Sequence, residues 1–279
     1  STKFNLPIDE IRKINVEGTK NIINLALKSD NVEKFSFVST VYVSGKKTGH
    51  ILESDHSNKF GFVNTYEQSK YEAEKLVRGY STKLPFVIYR LSTVVGDSKT
   101  GRVGHFTAPH HALKMMYLGL ASMITGKPDY VVDFIPSDVS AKILAELFLY
   151  HFKKGETYHV VSGEDKSYTL RQLLEKSYEY LKKYSPQWES KNYPLPTITS
   201  EEAFNLFVTS VEQTGNPIFS KILGVLKHFA HQLNYPKTFD QKNIISVIPK
   251  YSKIMPDIDK YYGKVVEFCL RTNWGRKNA

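Results

Sequence analysis

A chain of 279 residues with 41% hydrophobic content is long enough for one large domain or a domain with an appendage. No run approaches the ~20 apolar residues that span a bilayer as a helix, since even LGLASMI is short, so no transmembrane segment is expected. Thirty-eight Lys and Arg against 28 Asp and Glu give +10, yet these charges are scattered and no zinc, helix-turn-helix or RNA-binding signature accompanies them, which argues against nucleic acid as a partner.

Cys269 is the single cysteine, so no internal disulfide can form; the expectation is a buried structural thiol and a reducing, cytoplasmic setting. In chain order, LPIDE supplies a Pro-led acidic first turn, and Ile11, Ile14, Ile22, Ile23, Leu25 and Ala26 recur near helical spacing, which predicts an opening helix. FSFV, residues 35–38, reads as a buried parallel strand ending at Ser39 and Thr40. A polar loop through Gly45, Gly49 and Asp55 leads to a helix that carries NTYEQSKYEAEKLV, and PFVIYR, residues 85–90, is a second buried strand.

Helix and strand alternate, which predicts right-handed crossovers and a parallel sheet. DYVVDFIPSDVSAKILAELFLYHF reads as a strand, a turn capped by Ser137 or Asp138 and a helix, and TYHVVSG as another strand. Beyond Gly163 the pattern changes to amphipathic helical runs over 169–184, 200–212, 217–233 and 257–271, with no strand alternation. The expected division is therefore 1–164 and 165–279, and Phe204, Phe207, Phe219, Phe229 and Phe239 are expected in ordinary core.

Tyr66 and Lys70 stand at i and i+4, so both side chains share one helix face. Moving a phenol from its usual pKa to near neutrality takes ~4 kcal/mol, and one cation at ~4 Å in a partly buried site contributes about that much. Such a pair is a proton donor and acceptor suited to carbonyl reduction. Thr40, at the carboxyl end of a parallel strand, lies where open α/β sheets bind ligands and is the candidate to hold the substrate oxygen.

In VSTVYVSG, YEQSK and YRLSTVVGDSKTG the chain resembles the extended short-chain dehydrogenase/reductases. The finer wording, from NVEGT to VVGDSKTG, resembles the thioester reductase and male-sterility-type fatty acyl-CoA reductase branch over residues 1 to 165, and more weakly beyond. The resemblance implies an α/β fold: the C-terminal part of a doubly wound, Rossmann-type parallel sheet, followed by a mostly helical substrate-side region that sets acyl-chain choice. It implies a catalytic set of Thr40, Tyr66, Lys70 and Asn15, cofactor contacts from Tyr66, Lys70, Ser39, Arg90, Leu91, Ser92 and Val94, and NADPH as hydride source. The implied substrate is an acyl thioester, on CoA or an acyl-carrier protein, or the derived aldehyde.

Arg90-Leu91-Ser92 departs from the Arg-Pro-Gly of many relatives, so contacts to the nicotinamide amide are expected to differ. The turn formed by Gly96, Asp97, Ser98 and Thr100 is read either as a border of the substrate entrance or as an ordinary loop. His110 and His111 are read as polar helix or loop residues, and no metal is expected. No Gly-rich strand-to-helix turn occurs in the chain, although a dinucleotide pyrophosphate needs one. The expectation is that the opening strand-helix units, roughly 100 residues, come from a preceding segment of the same polypeptide or from a companion chain, and that the 279 residues alone are poorly soluble. Two other functions stay open: a nucleotide-sugar epimerase or dehydratase using the same residues, and a non-catalytic dinucleotide-sensing or scaffolding relative.

Overall fold

Pro7 starts the first helix with the φ that proline imposes, and Asp9 and Glu10 place negative charge on its first turn. The computed structural model describes residues 6–213, 215, 227 and 230–275. Phe219 and Phe229, and most of the run 217–233, lie outside the described residues.

The chain forms two compact units that interleave in sequence. The first comprises residues 1–93, 140–163 and 237–255; the second comprises 94–139, 164–236 and 256–279. The expected passage near 164 is thus one of several. Residues 94–139 gather with the helical region, and 237–255 return to the sheet. The local reason for that return is a strand, Lys237–Phe239, which pairs in parallel with Gly49–Ile51. Such long-range pairing leaves no periodic trace in the sequence. Thr197–Thr199 likewise pairs with Met123–Thr125, so strands do occur beyond 164, in pieces too short for alternation to reveal.

In the first unit, helices Ile8–Arg12 and Gly18–Leu27 run into each other through a single π turn, Lys13–Glu17. Ile11 and Ile23 are fully buried, but Ile14, Ile22 and Leu25 are more than half exposed, so the apolar spacing read as one core face is spread over two. Strand Phe35–Thr40 follows, then helix Thr65–Gly79, strand Phe86–Leu91 and strand Thr157–Val160. Phe86–Leu91 is central, pairing in parallel with both others, from Phe35↔Phe86 to Thr40↔Leu91 and from Ile88↔Thr157 to Leu91↔Val160. This is the α/β parallel sheet of a Rossmann-type fold.

Ile23, Phe37, Ala73, Val77, Leu84, Phe86 and Ile88 form the core beneath the helices. Among the described residues Phe35–Thr40 is an edge strand, and its Val38 is 49% exposed. The helix read after Ser137 begins at that residue and runs to Tyr150, with no intervening turn.

The second unit is built around helix Leu170–Tyr184, whose capping box has the Thr169 hydroxyl accepting the Gln172 N–H while the Gln172 side chain accepts that of Thr169. Helices Ala108–Tyr117 and Tyr262–Arg271 pack on it, and Glu201–Gln213 buries Phe204 and Val208. Cys269 is fully buried, and burial pushes its thiol up to about 12, as befits a structural residue.

Candidate active site

Thr40 ends its strand and opens a one-turn 3₁₀ segment, Val41–Ser44, its hydroxyl accepting the Tyr42 N–H at 3.3 Å. Gly45 ends that turn with φ +56, and a Cβ there would fall 2.1 Å from the Gly61 carbonyl, so only glycine lets the loop close back on itself. Lys237, buried in its strand, donates to the Gly45 carbonyl from the other side. The helix that follows is capped by Asn64, which accepts the Glu67 N–H at 3.0 Å.

This architecture brings Thr40 and Tyr66 together: their side chains share a hydrogen bond. Tyr66 is half-buried, and burial pushes its phenol up to about 12; the bond with Thr40 acts downward and the Glu67 carboxylate upward. The expected depression by Lys70 is therefore not the effect found. The Lys70 ammonium is turned to the first strand, donating to the Val38 carbonyl at 2.9 Å and lying 4.4 Å from the centre of the Phe37 ring. Burial lowers Lys70 to about 8, with the Glu74 carboxylate acting in the opposite sense.

Asn15 sits in the π turn, buried, and its amide donates to the Ser69 hydroxyl at 2.9 Å; Ser69 donates to the Tyr66 carbonyl at 2.8 Å. An extra residue in one helical turn thus aims Asn15 at the Ser69 hydroxyl of the Tyr66 helix.

The residues expected at the cofactor separate into two groups. The Ser39 hydroxyl donates to Glu74 at 2.9 Å, and Arg90, 1% exposed, spends its guanidinium on Glu74 and on the carbonyls of Glu53 and Asp55. Both side chains are therefore committed inside the unit. Leu91 and Val94 are half-buried, and Ser92 is buried with its N–H on the Val160 carbonyl.

In the second unit, Asp97 accepts from the Lys99 and Thr100 N–H groups and the Thr100 hydroxyl, while Asp138 takes the Ser98 N–H and hydroxyl at 2.8 Å. The GDSKTG turn is thus closed by its own Asp97 and held by Asp138. His110 is buried, with one ring nitrogen 2.7 Å from the Val95 carbonyl and the other within the Thr107 cap, which makes it a structural residue.

What the sequence reading missed is the charge beneath the pair. Glu74, fully buried, meets Arg90 at 2.6 Å and Arg78 at 2.9 Å, with His56 at 3.7 Å. Glu53 accepts the N–H groups of His159 and Asn243 at 2.9 and 2.6 Å. The signal for Glu74 was its place four residues after Lys70, on the Tyr66 face.

The family profile for NAD-binding male sterility proteins matches residues 1–144, just over half of the chain. This chain belongs to that family. Its fold is that of the extended short-chain dehydrogenase/reductases, in the branch of thioester and fatty acyl-CoA reductases. It is 27% identical over 199 residues to the fatty acyl-CoA reductase wat of Drosophila melanogaster, an alignment covering 60% of this chain and 38% of that one. Among solved structures, the terminal R domain of the myxalamid PKS-NRPS pathway superposes with a TM-score of 0.77 at 20% identity, covering 98% of this chain and 67% of that one. The UDP-glucuronic acid 4-epimerase of Bacillus cereus, solved with NAD, superposes at 0.59 with 17% identity, over 93% of this chain and 68% of that one. The chain spans well under two thirds of the length of the curated relatives it matches.

Proposed function

We propose that this male sterility family chain carries the proton-transfer half of an NADPH-dependent reductase acting on an acyl thioester, or on the aldehyde derived from it. The observation that carries the reading is the Thr40–Tyr66 hydrogen bond at the carboxyl end of a parallel strand, with Lys70 on the same helix face. The nicotinamide-ribose half of the cofactor suits this edge, where Tyr66 and Lys70 present a hydroxyl and an ammonium. The pyrophosphate half has no Gly-rich cradle among these 279 residues.

When bound, the nicotinamide supplies hydride to the carbonyl carbon. Thr40 holds the carbonyl oxygen, Tyr66 gives it a proton, and Lys70 binds the ribose and later helps Tyr66 recover its proton. The resulting hemithioacetal collapses, breaking the carbon–sulfur bond to release thiol and aldehyde. A phenol pushed up by burial stays protonated near neutrality, the state a donor needs.

The second unit, taken by itself, has a pocket whose apolar lining suits an aliphatic chain. The pocket, partly open to solvent, is lined by Leu113, Met116, Ile124, Phe134, Leu174 and Phe204, and the hydroxyls of its Ser177 and Tyr262 are bonded to each other at 2.7 Å. The reading includes an acyl carrier, CoA or carrier protein, as partner and the cytoplasm as setting.

The test is NADPH oxidation by the full-length polypeptide with acyl-CoA and carrier-bound thioesters. Tyr66→Phe is expected to lower kcat by roughly a thousandfold with the fold intact; unchanged turnover overturns the donor assignment. Tight NADPH binding with no turnover on any carbonyl substrate would favour a sensing relative instead. That alternative is supported by the committed side chains of Ser39 and Arg90.

A further inference from the structure

Helix Thr65–Gly79 carries Tyr66, Lys70 and Glu74 at successive four-residue steps, so their side chains leave one stripe of the helix. The first two belong to the proposed chemistry. Glu74 lies deeper, at 0% exposure. Its Oε2 accepts from Ser39 Oγ at 2.9 Å and from Arg90 Nε at 3.1 Å, and its Oε1 accepts from Arg90 Nη2 at 2.6 Å and Arg78 Nη2 at 2.9 Å.

Ser39 and Arg90 face each other across the first and central strands, one rung before Thr40 and Leu91. Arg78 in turn donates to Thr157 Oγ1 on the third strand at 2.8 Å. Glu74 therefore ties the Tyr66 helix to the first and central strands, immediately below Thr40, and Arg78 of the same helix ties it to the third.

We propose that Glu74 is a positioning residue: by gripping the Ser39–Arg90 rung it sets the helix against the sheet, holding the Thr40 hydroxyl on the Tyr66 phenol and the Lys70 ammonium on the first strand. Its kinetic consequence rests on the reductase reading; its geometric consequence does not.

The charge matters as well as the shape. Lys70 is faced on its own helix by Tyr66 and Glu74, and from the first strand by the Val38 carbonyl and the Phe37 ring; around Glu74 stand Arg78, Arg90 and His56. Glu74 is the anion that opposes the loss of the Lys70 proton on burial. A neutral amide in its place removes that anion and leaves Arg78 and Arg90 without their counter-ion.

The experiment compares Glu74→Gln and Glu74→Asp in the full-length polypeptide, with folding followed by circular dichroism. A displacement of the pair by a fraction of an ångström is expected to lower kcat of Glu74→Gln by about tenfold to a hundredfold. KM for the acyl thioester changes little, the basic limb of the kcat profile moves to lower pH, and Glu74→Asp recovers part of kcat.

Lys70 is also titrated directly by NMR on ¹³C-lysine-labelled protein, its signal assigned with Lys70→Arg, and is expected to lose its proton at lower pH in Glu74→Gln. If Glu74 only supports the fold, its variants melt earlier but keep the wild-type pH limb and the wild-type Lys70 titration, and the proposal is overturned. If the unmodified polypeptide reduces no thioester, the reductase reading falls, and the Lys70 titration alone decides for or against Glu74.

Discussion

At the strand ends of the first unit, Glu74, Arg90, Glu53 and His159 are each at most 2% exposed, while in the second unit comparable depth is filled by Phe134, Trp188, Tyr168 and Tyr262. The two interiors obey different rules. Glu74 and Arg90 go in because each meets its opposite charge, whereas burial drives Glu53 and His159 toward their neutral forms on backbone hydrogen bonds. Losing one partner therefore strands a buried polar group. Rings and hydroxyls lose contacts one at a time, so the second interior tolerates piecemeal change. The proposed site, which must hold a hydroxyl, a phenol and an ammonium in register, gains from the first kind of packing.

The comparison breaks most visibly at Arg90. Arg90→Met removes one partner of a buried pair and leaves Arg78 as the one guanidinium on Glu74, so a loss of about 3–5 kcal/mol is expected in urea denaturation. A loss below about 1 kcal/mol would show that the buried charges are not mutually dependent.

Glu53 gives the pH dependence. Burial pushes its carboxyl up to about 7 from 4.5, against the N–H groups of His159 and Asn243 that hold it down. Between these two values the folded chain binds more of a proton than the unfolded one, so this group's contribution makes stability rise as pH falls from about 7 towards 4.5. Glu53→Gln should flatten that slope in denaturation curves taken across the window; an unchanged slope assigns it to other groups.

The smallest effect belongs to the second unit. Tyr262→Phe removes the hydroxyl bonded to Ser177 at 2.7 Å, while Ser177 keeps its bond to the Leu173 carbonyl, so a loss of only about 1 kcal/mol is expected. Trp188, Trp274 and Cys269 all lie in that unit, so tryptophan fluorescence and thiol labelling report its opening. Cys269, buried with its thiol near 12, should react only as that unit unfolds.

Much of this protein follows from local text. Helical spacing, short β-rich runs and their alternation specify a parallel α/β sheet, because a helix between two strands returns the chain in the same direction. The i, i+4 spacing places Tyr66 and Lys70 on one face, and a strand ending in Ser39 and Thr40 puts a hydroxyl at the sheet edge.

What local text cannot carry is the partner a side chain finds across long separations. Ser39 and Arg90, expected at a cofactor, turn inward because Glu74 meets both. Lys70 lies on the Val38 carbonyl, so burial and not a cation governs the Tyr66 phenol. The return of Lys237–Phe239 to Gly49–Ile51 joins residues nearly two hundred positions apart. Spacing along one helix is set by its pitch, whereas the charges and hydrogen bonds that fix protonation arrive from elements only the folded chain brings together.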